Sequence, residues 1–155
     1  MNAPIAIREA VVQYRGARRS VSPALRSPED AARFVRRLIG ADAREHFVAL
    51  MLDARHRPVA YQVVSVGTAT ASLVHPREVF QAAVSLGACA LIVAHNHPSG
   101  DPSPSAEDRD VTQRLARAGA LLGIRLLDSI VIGDRGHVSL REESPALLEA
   151  SPDTT

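Results

Sequence analysis

Two short runs of apolar residues constrain the fold of this chain more than any other feature. Residues 47–52 and residues 88–94 are apolar throughout. Runs of this length are typical of β-strands that are buried on both faces, because a strand with one face in water alternates apolar and polar residues. Such strands need a covering layer on each side of their sheet. The runs therefore predict a sheet that lies between two layers of other elements.

Three segments carry the signals of helices that could form those layers. Each begins at a capping serine or a proline and ends near a glycine, which are the usual helix boundaries. The three helices are expected to run from Pro28 to Gly40, from Pro76 to Gly87, and from Ala106 to about Leu122. Ser27 and Ser105 are the predicted N-caps of the first and third helix.

Further strands alternate with these helices. Residues 59–66 alternate well enough for a strand, and residues 124–127 and 129–132 are predicted as two short apolar strands. The turn at residues 133–136 makes residues 137–140 a hairpin partner. Strands that alternate with helices indicate an α/β sandwich around a mixed sheet.

Composition narrows the chemistry open to the chain. Its 155 residues suit one domain, and all 18 basic residues are arginine, so lysine nucleophiles and lysine phosphate loops are excluded. The single cysteine, Cys89, excludes an intramolecular disulfide and a zinc site built on cysteine pairs. We expect Cys89 to pack in the core. A net charge of +1 argues against a polybasic nucleic-acid-binding protein.

The two ends of the chain differ from its middle. Residues 1–44 hold nine arginines against four acidic residues, whereas residues 45–155 hold nine against 13. Residues 1–26 are predicted to be a basic, partly flexible arm that is a candidate for weak contact with nucleic acid, and residues 144–155 a tail. No secretory signal or membrane-spanning stretch is apparent, so we expect a cytoplasmic protein.

Three side chains have the spacing of metal ligands. His95 and His97 are two residues apart, so in extended chain their side chains lie on the same side. Asp108 lies in the first turn of the helix that Ser105 caps, and the intervening loop can fold it back toward the histidines. Two imidazoles and one carboxylate match the three protein ligands of a catalytic zinc, with the fourth position left for water. Magnesium and calcium prefer more oxygen ligands.

A catalytic zinc of this kind needs a general base that is not itself a ligand, and Glu45 is our candidate. Glu45 stands just before residues 47–52, at the start of that predicted strand. We expect a parallel pairing to lay this strand beside the one that ends at the histidines. The hydroxyl of Ser105 is predicted either to cap its helix or to face the oxyanion formed when water attacks a carbonyl.

These residues resemble the JAMM pattern of the JAB/MPN metallopeptidases. The pattern is Glu45, then His95-x-His97-Pro98, then a serine and an aspartate eight and eleven positions after the second histidine. The longer stretch from His95 to Thr112 and the Val74-His75-Pro76-Arg77-Glu78-Val79 segment resemble the RadC branch of that family. The resemblance covers roughly residues 27–143. It implies a cytidine-deaminase-like α/β/α sandwich, one zinc held by His95, His97 and Asp108, and a water activated by Glu45.

The chain departs from the RadC pattern in two places. RadC proteins usually carry an N-terminal helix-hairpin-helix-like region, for which this sequence is too short. Ser129 stands after Asp128, where the family tends to have histidine. We expect no metal ligand at Ser129. Glu45 is selected over Glu78 only by the resemblance, and Asn96 is expected to make hydrogen bonds in a loop.

Two function classes remain after this reasoning. The first is a zinc-dependent metallopeptidase-like or isopeptidase-like hydrolase, in which a Glu-activated, metal-bound water attacks an amide carbonyl of a peptide or protein. The alternative is a DNA-repair or mobile-element accessory protein that associates with DNA, with a metal site that is structural or of unknown substrate. A nucleobase deaminase shares the implied fold, but it would need cysteine ligands that the chain lacks. The sequence leaves the scissile bond, the physiological substrate and the oligomeric state open.

Overall fold

A computed structural model describes residues 22–67 and 74–149, together with residues 11, 13 and 15. The described helices and strands follow one another in an alternating order. They are α1 (Pro28–Ile39), β1 (Glu45–Leu52), β2 (Pro58–Gly67), α2 (Pro76–Leu86), β3 (Ala90–Asn96), α3 (Ala106–Leu122), β4 (Arg125–Ile132), β5 (His137–Ser139) and α4 (Leu140–Glu143), followed by a 3₁₀ helix at Pro145–Leu147. The predicted caps are confirmed, because the Ser27 and Ser105 hydroxyls each accept a hydrogen bond from a first-turn N–H.

The described strands form one five-stranded sheet in the order β2-β1-β3-β4-β5. β1 is antiparallel to both of its neighbours, β3 and β4 are parallel, and β5 returns antiparallel to β4. The sheet is therefore mixed, as the alternating elements predict.

Helices cover both faces of this sheet. Phe47, Ala49 and Met51 of β1 pack with α2 and α3 in one apolar cluster. Val48 and Leu50 point to the other face and pack with α1 in a second cluster. Because successive side chains of a strand point to opposite faces, both faces of β1 have to be apolar. The predicted α/β/α sandwich is confirmed.

The predicted parallel pairing of the two apolar strands is wrong. β1 and β3 are antiparallel, with Phe47 opposite His95 and Leu52 opposite Ala90. The hairpin between β1 and β2 reverses the chain, and the crossover through α2 then lays β3 parallel to β2 on the far side of β1. The antiparallel pairing brings the start of β1 to the sheet edge at which β3 ends, whereas a parallel pairing would have placed Glu45 at the opposite edge.

Two further expectations about strands and core are also corrected. The two short strands predicted after Gly123 are one continuous strand, because Asp128 lies within β4 and is buried there. Cys89 does not pack in the core, since its side chain is exposed between buried Ala88 and buried Ala90. Cys89 lies in the bend just before β3, and its N–H donates to the carbonyl of Leu52.

The ends of the chain are described only in part. Most of the predicted basic arm, residues 1–26, and residues 150–155 of the predicted tail lie outside the described residues. Within the described part, no helix is both long enough and apolar enough to cross a membrane.

Asp128 connects β4 to the segment that follows β5. Its buried carboxylate accepts hydrogen bonds from the backbone N–H groups of Ser129 (2.8 Å) and Arg141 (3.1 Å) and from the hydroxyl of Ser139 (2.7 Å). Burial nevertheless raises the pKa of Asp128 above its ordinary value of 3.8, and these hydrogen bonds reduce the rise without cancelling it.

The raised pKa of Asp128 predicts how an Asp128→Asn variant will respond to pH. A raised folded-state pKa stabilises the fold below the unfolded-state value of 3.8, and that contribution is lost as pH rises through the folded-state pKa. The variant lacks this contribution, and its amide oxygen can still accept both N–H bonds. We therefore expect its unfolding free energy, relative to wild type, to increase from about pH 4 to about pH 7 in urea titrations. A difference that stays constant or decreases over this range would contradict the assignment.

Candidate metal centre

The candidate site lies at the sheet edge where β3 ends and β1 begins. His95 is the last β3 residue that pairs with β1, and its ring stacks on Phe47 with ring centroids 5.7 Å apart. His95 is fully buried, on the face that α2 and α3 cover. His97 follows it by two residues and is half-buried. The two imidazoles therefore reach the same point from one segment of chain, one from the core and one from the surface.

The Asp108 carboxylate meets both imidazoles. Its Oδ1 lies 2.9 Å from His95 Nε2, and its Oδ2 lies 3.2 Å from His97 Nε2. The two Nε2 atoms are 3.1 Å apart. Two ligands at typical zinc distances on the corners of a tetrahedron would lie about 3.3 Å apart, which is close to the separation of the two Nε2 atoms and to that of each Nε2 from its nearer carboxylate oxygen. The cluster of His95, His97 and Asp108 could thus hold a metal ion.

The first turn of α3 fixes the position of this carboxylate. The Asp108 Oδ2 atom accepts the N–H of Ser105 at 2.7 Å, and the Ser105 hydroxyl accepts the N–H of Asp108 at 3.1 Å. This reciprocal pair is a capping box, in which residues at the N-cap and three positions later satisfy each other's backbone donors. The hydroxyl hydrogen of Ser105 is not used by either bond. The same contacts that begin the helix therefore hold Asp108 against the histidines.

One hydrogen bond also determines which ring nitrogen of a neutral His97 carries the hydrogen. Its Nδ1 lies 2.8 Å from the carbonyl oxygen of Asp101, which can only accept, so Nδ1 carries the hydrogen. In the neutral ring, Nε2 then presents a lone pair toward the cluster, as a metal ligand must. His95 Nδ1 is buried without a hydrogen-bond partner among the described residues.

The two carboxyl groups at this edge, those of Asp108 and Glu45, have pKa values that are shifted in opposite directions. Burial alone would raise the pKa of Asp108, but the hydrogen bond and charge of His95 and the Ser105 N–H lower it to well below its ordinary range. Partial burial raises the pKa of Glu45, the charges of His95 and His97 oppose the rise, and the Asp108 carboxylate adds to it. Asp108 therefore stays ionised to a lower pH than Glu45 does, and of the two carboxylates Glu45 takes up a proton more readily.

Glu45 lies beside the cluster without belonging to it. As the first residue of β1, it is two positions before Phe47 and so lies on the same sheet face as Phe47 and His95. Its side chain is half-buried and feels the charges of all three cluster residues. Glu78, the other acidic residue weighed from the sequence, is exposed in the first turn of α2.

The expectation that Asn96 makes hydrogen bonds in a loop is wrong. Asn96 is the last residue of β3, and its side-chain amide reaches across to the backbone of β1 and the residue before it. No signal close to Asn96 in the sequence marks this contact, because its partners lie about 50 positions away. The hydroxyl oxygen of Ser129 lies 2.8 Å from that of Thr112, a buried residue of α3.

The loop between the histidines and α3 is packed closely on the turn between β4 and β5. The Asp134 N–H donates to the carbonyl of Gly100 at 2.9 Å. A Cβ atom on Gly133 would collide with the Gly100 carbonyl oxygen and with Pro102. The His97 N–H in turn donates to the carbonyl of Ile132 at 2.9 Å. The path of the chain from His97 to Asp108 thus depends on a glycine in the neighbouring turn.

The sequence of this chain is similar to those of known proteins. A family model described as RadC-like JAB domain matches residues 25–145. A UPF0758 protein of Halalkalibacterium halodurans is 50% identical over 119 residues, which are 77% of this chain and 51% of that protein. UPF0758 proteins of Geobacillus sp. (strain WCH70) and Desulforudis audaxviator are 48% identical over 119 residues and 50% identical over 121 residues, covering 77% and 78% of this chain and 53% of each protein.

This chain spans about half the length of those curated relatives. The matched region contains all the elements that build the site, from α1 to α4. By its sequence and its mixed, helix-covered sheet, the chain belongs to the RadC-like JAB domain family.

Proposed function

We propose that this chain is a zinc-dependent metallopeptidase-like or isopeptidase-like hydrolase that cleaves an amide bond of a peptide or protein. The observation that carries the proposal is the convergence of His95 Nε2, His97 Nε2 and the Asp108 carboxylate within 3.2 Å of one another. Their separations suit tetrahedral zinc, and two nitrogens with one carboxylate favour zinc over magnesium or calcium. One zinc per chain would be held by these three side chains.

Zinc at such a site acts as a Lewis acid and lowers the pKa of a coordinated water molecule to about 7. His95 and Asp108 are buried, whereas His97 and Glu45 are half-buried and open toward solvent. A substrate amide can therefore approach from the side of Glu45 and His97 while the other two side chains keep the deep wall of the site in place.

Glu45 is the proposed general base. Its carboxylate accepts a proton from the attacking water and returns it to the nitrogen of the scissile amide, so the amine leaves in its neutral form. One carboxylate can serve both steps, because the group that takes the proton as a base then holds it as the acid that follows. Asp108 cannot take this part, since its carboxylate is held by the two histidines and Ser105.

Ser105 is proposed to stabilise the carbonyl oxygen that gains negative charge. Its oxygen already accepts the Asp108 N–H, which leaves its own hydrogen to be donated toward the cluster. Ser105 also lies at the N-terminus of the 17-residue helix α3, where the backbone dipoles favour negative charge. The DNA-associated alternative rests on the arginine-rich arm, and no contact among the described residues favours it.

The first prediction of this proposal concerns zinc stoichiometry. We expect close to one zinc per chain in wild type after removal of loosely bound metal, and far less in His97→Ala and Asp108→Asn, since each removes one of the three ligands. The asparagine keeps an oxygen for the Ser105 N–H, so the helix cap is retained. Metal analysis by mass spectrometry measures the content. His56→Asn is a matched control in the turn between β1 and β2, at the opposite sheet edge, and should bind as wild type does.

Two outcomes would contradict the zinc assignment. One is a wild-type protein that holds no zinc at micromolar free metal. The other is a zinc content that is the same in wild type and in both ligand variants.

The second prediction concerns Glu45. The Glu45→Gln variant should keep its zinc, because Glu45 is not a ligand, and should cleave members of a peptide and isopeptide library about 10²- to 10⁴-fold more slowly than wild type. Glu78→Gln, which changes the exposed acidic residue of α2, is the matched control and should keep wild-type rates. If zinc-loaded wild type cleaves no member of the library, the hydrolase proposal fails. If Glu45→Gln is as fast as wild type, Glu45 is not the base.

A further inference from the structure

β1 extends past the point at which the backbone of β3 leaves it. The pairing of β1 with β3 ends at Phe47 and His95. After His95, the backbone of β3 pairs only with β4, and the His97 N–H donates to the carbonyl of Ile132. The residues of β1 before Phe47 therefore lie outside the register that pairs β1 with β3. Glu45, the proposed base, lies in this segment.

The side chain of Asn96 continues the contact between the two strands beyond this register. Its Oδ1 accepts the N–H of His46 at 2.8 Å, and its Nδ2 donates to the carbonyl of Arg44 at 2.9 Å. A side-chain amide has the same donor and acceptor groups as a peptide unit, so it can continue a strand ladder. Its two partners are the residues on either side of Glu45.

Other contacts make the same segment a defined structure. The Arg44 carbonyl also lies 2.8 Å from His46 Nδ1, and the Asp42 carboxylate accepts the Arg44 N–H at 3.0 Å. These bonds link residues within the segment to one another. Among the hydrogen bonds of the described side chains, those of Asn96 are the ones that join it to the strand carrying the histidines.

We propose that Asn96 is a positioning residue that holds the backbone on both sides of Glu45 at a fixed height above the His95, His97 and Asp108 cluster. This inference rests on the proposed role of Glu45 as the base. Strand alternation puts Asn96 on the sheet face opposite to His95, so Asn96 has no part in the cluster itself. Its place between the two histidines ties the base and the ligands to one stretch of three residues.

The arrangement separates two properties that a general loss of structure would change together. Removing the Asn96 amide frees the Glu45 segment on one side and leaves the contacts among His95, His97 and Asp108 in place. Zinc content should therefore remain, whereas the position of the base should not. Loss of a single buried or half-buried amide can misplace a reacting group enough to slow a reaction without preventing binding.

Amide hydrogen exchange followed by NMR tests the contact on zinc-loaded, full-length protein. In Asn96→Ala, the His46 N–H loses its acceptor, and we expect its exchange to become about tenfold faster or more. The Leu50 N–H, in the middle of β1, should keep its wild-type rate, and zinc content should stay at the wild-type value. Ser99→Ala, three residues further along the same segment and without contact to β1, is the matched control and should leave His46 unchanged.

Asn96→Asp is a second variant that keeps an acceptor for the His46 N–H but cannot donate to the Arg44 carbonyl. We expect its His46 exchange rate to lie between those of wild type and Asn96→Ala. Unchanged exchange at His46 in both Asn96 variants would overturn the proposal. A uniform acceleration that includes Leu50, or a loss of zinc in Asn96→Ala, would also overturn it, because Asn96 would then support the whole fold or the cluster.

Activity gives a second, separate readout. We expect Asn96→Ala to lower kcat roughly 10- to 100-fold with little change in KM, and to have no further effect in a Glu45→Gln background. Equal, independent effects in the two backgrounds would show that Asn96 does not act through Glu45. If wild type cleaves nothing, the proposed function fails, whereas the exchange rates still decide whether Asn96 holds the Glu45 segment.

Discussion

The antiparallel pairing of β1 with β3 is the constraint on which the site depends. One register, with Phe47 opposite His95, brings the first residue of β1 and the last residues of β3 to the same edge of the sheet. The pairing also buries His95 beneath the stacked ring of Phe47. A shift of this register by one residue would turn every β1 side chain to the opposite face, which would move Glu45 away from the histidines.

Asp108, on α3, likewise contributes both to the fold and to the site. Its carboxylate completes the capping box that begins α3, and it also contacts both imidazoles. A long helix that packs on the sheet therefore presents an acidic side chain of its first turn to the two histidines. A shift of α3 along its axis would carry Asp108 away from both imidazoles, so the packing of α3 on the core and the geometry of the cluster are coupled.

Local signals explain how much of this could be predicted from the sequence. The apolar runs predicted strands buried on both faces, and the capping residues Ser27 and Ser105 predicted where helices begin, because these effects act within a few residues. The strand direction could not be read from residues 47–52, since an apolar run looks the same from either end. It is decided by the β1–β2 hairpin and the crossover through α2.

The candidate site divides in the same way. The spacing of His95, His97 and Asp108 indicated that they could converge, since one short loop joins them. The choice of Glu45 over Glu78 came from a family resemblance, because nothing near Glu45 in sequence marks it. The bonds of Asn96 join residues about 50 positions apart, and its amide could equally have served a turn. Burial of Asp128 and exposure of Cys89 likewise depend on where the covering elements end.

The close approach of Gly133 to the loop after His97 limits where residues can be inserted into or deleted from this protein. The Gly100 carbonyl and Pro102 occupy the space beside Gly133. The loop and the turn between β4 and β5 are therefore packed directly against each other. A residue inserted into either segment would force the other to move, and with it the path to Asp108. Insertions and deletions are therefore expected to be accepted only where both segments change together, or at positions remote from this edge.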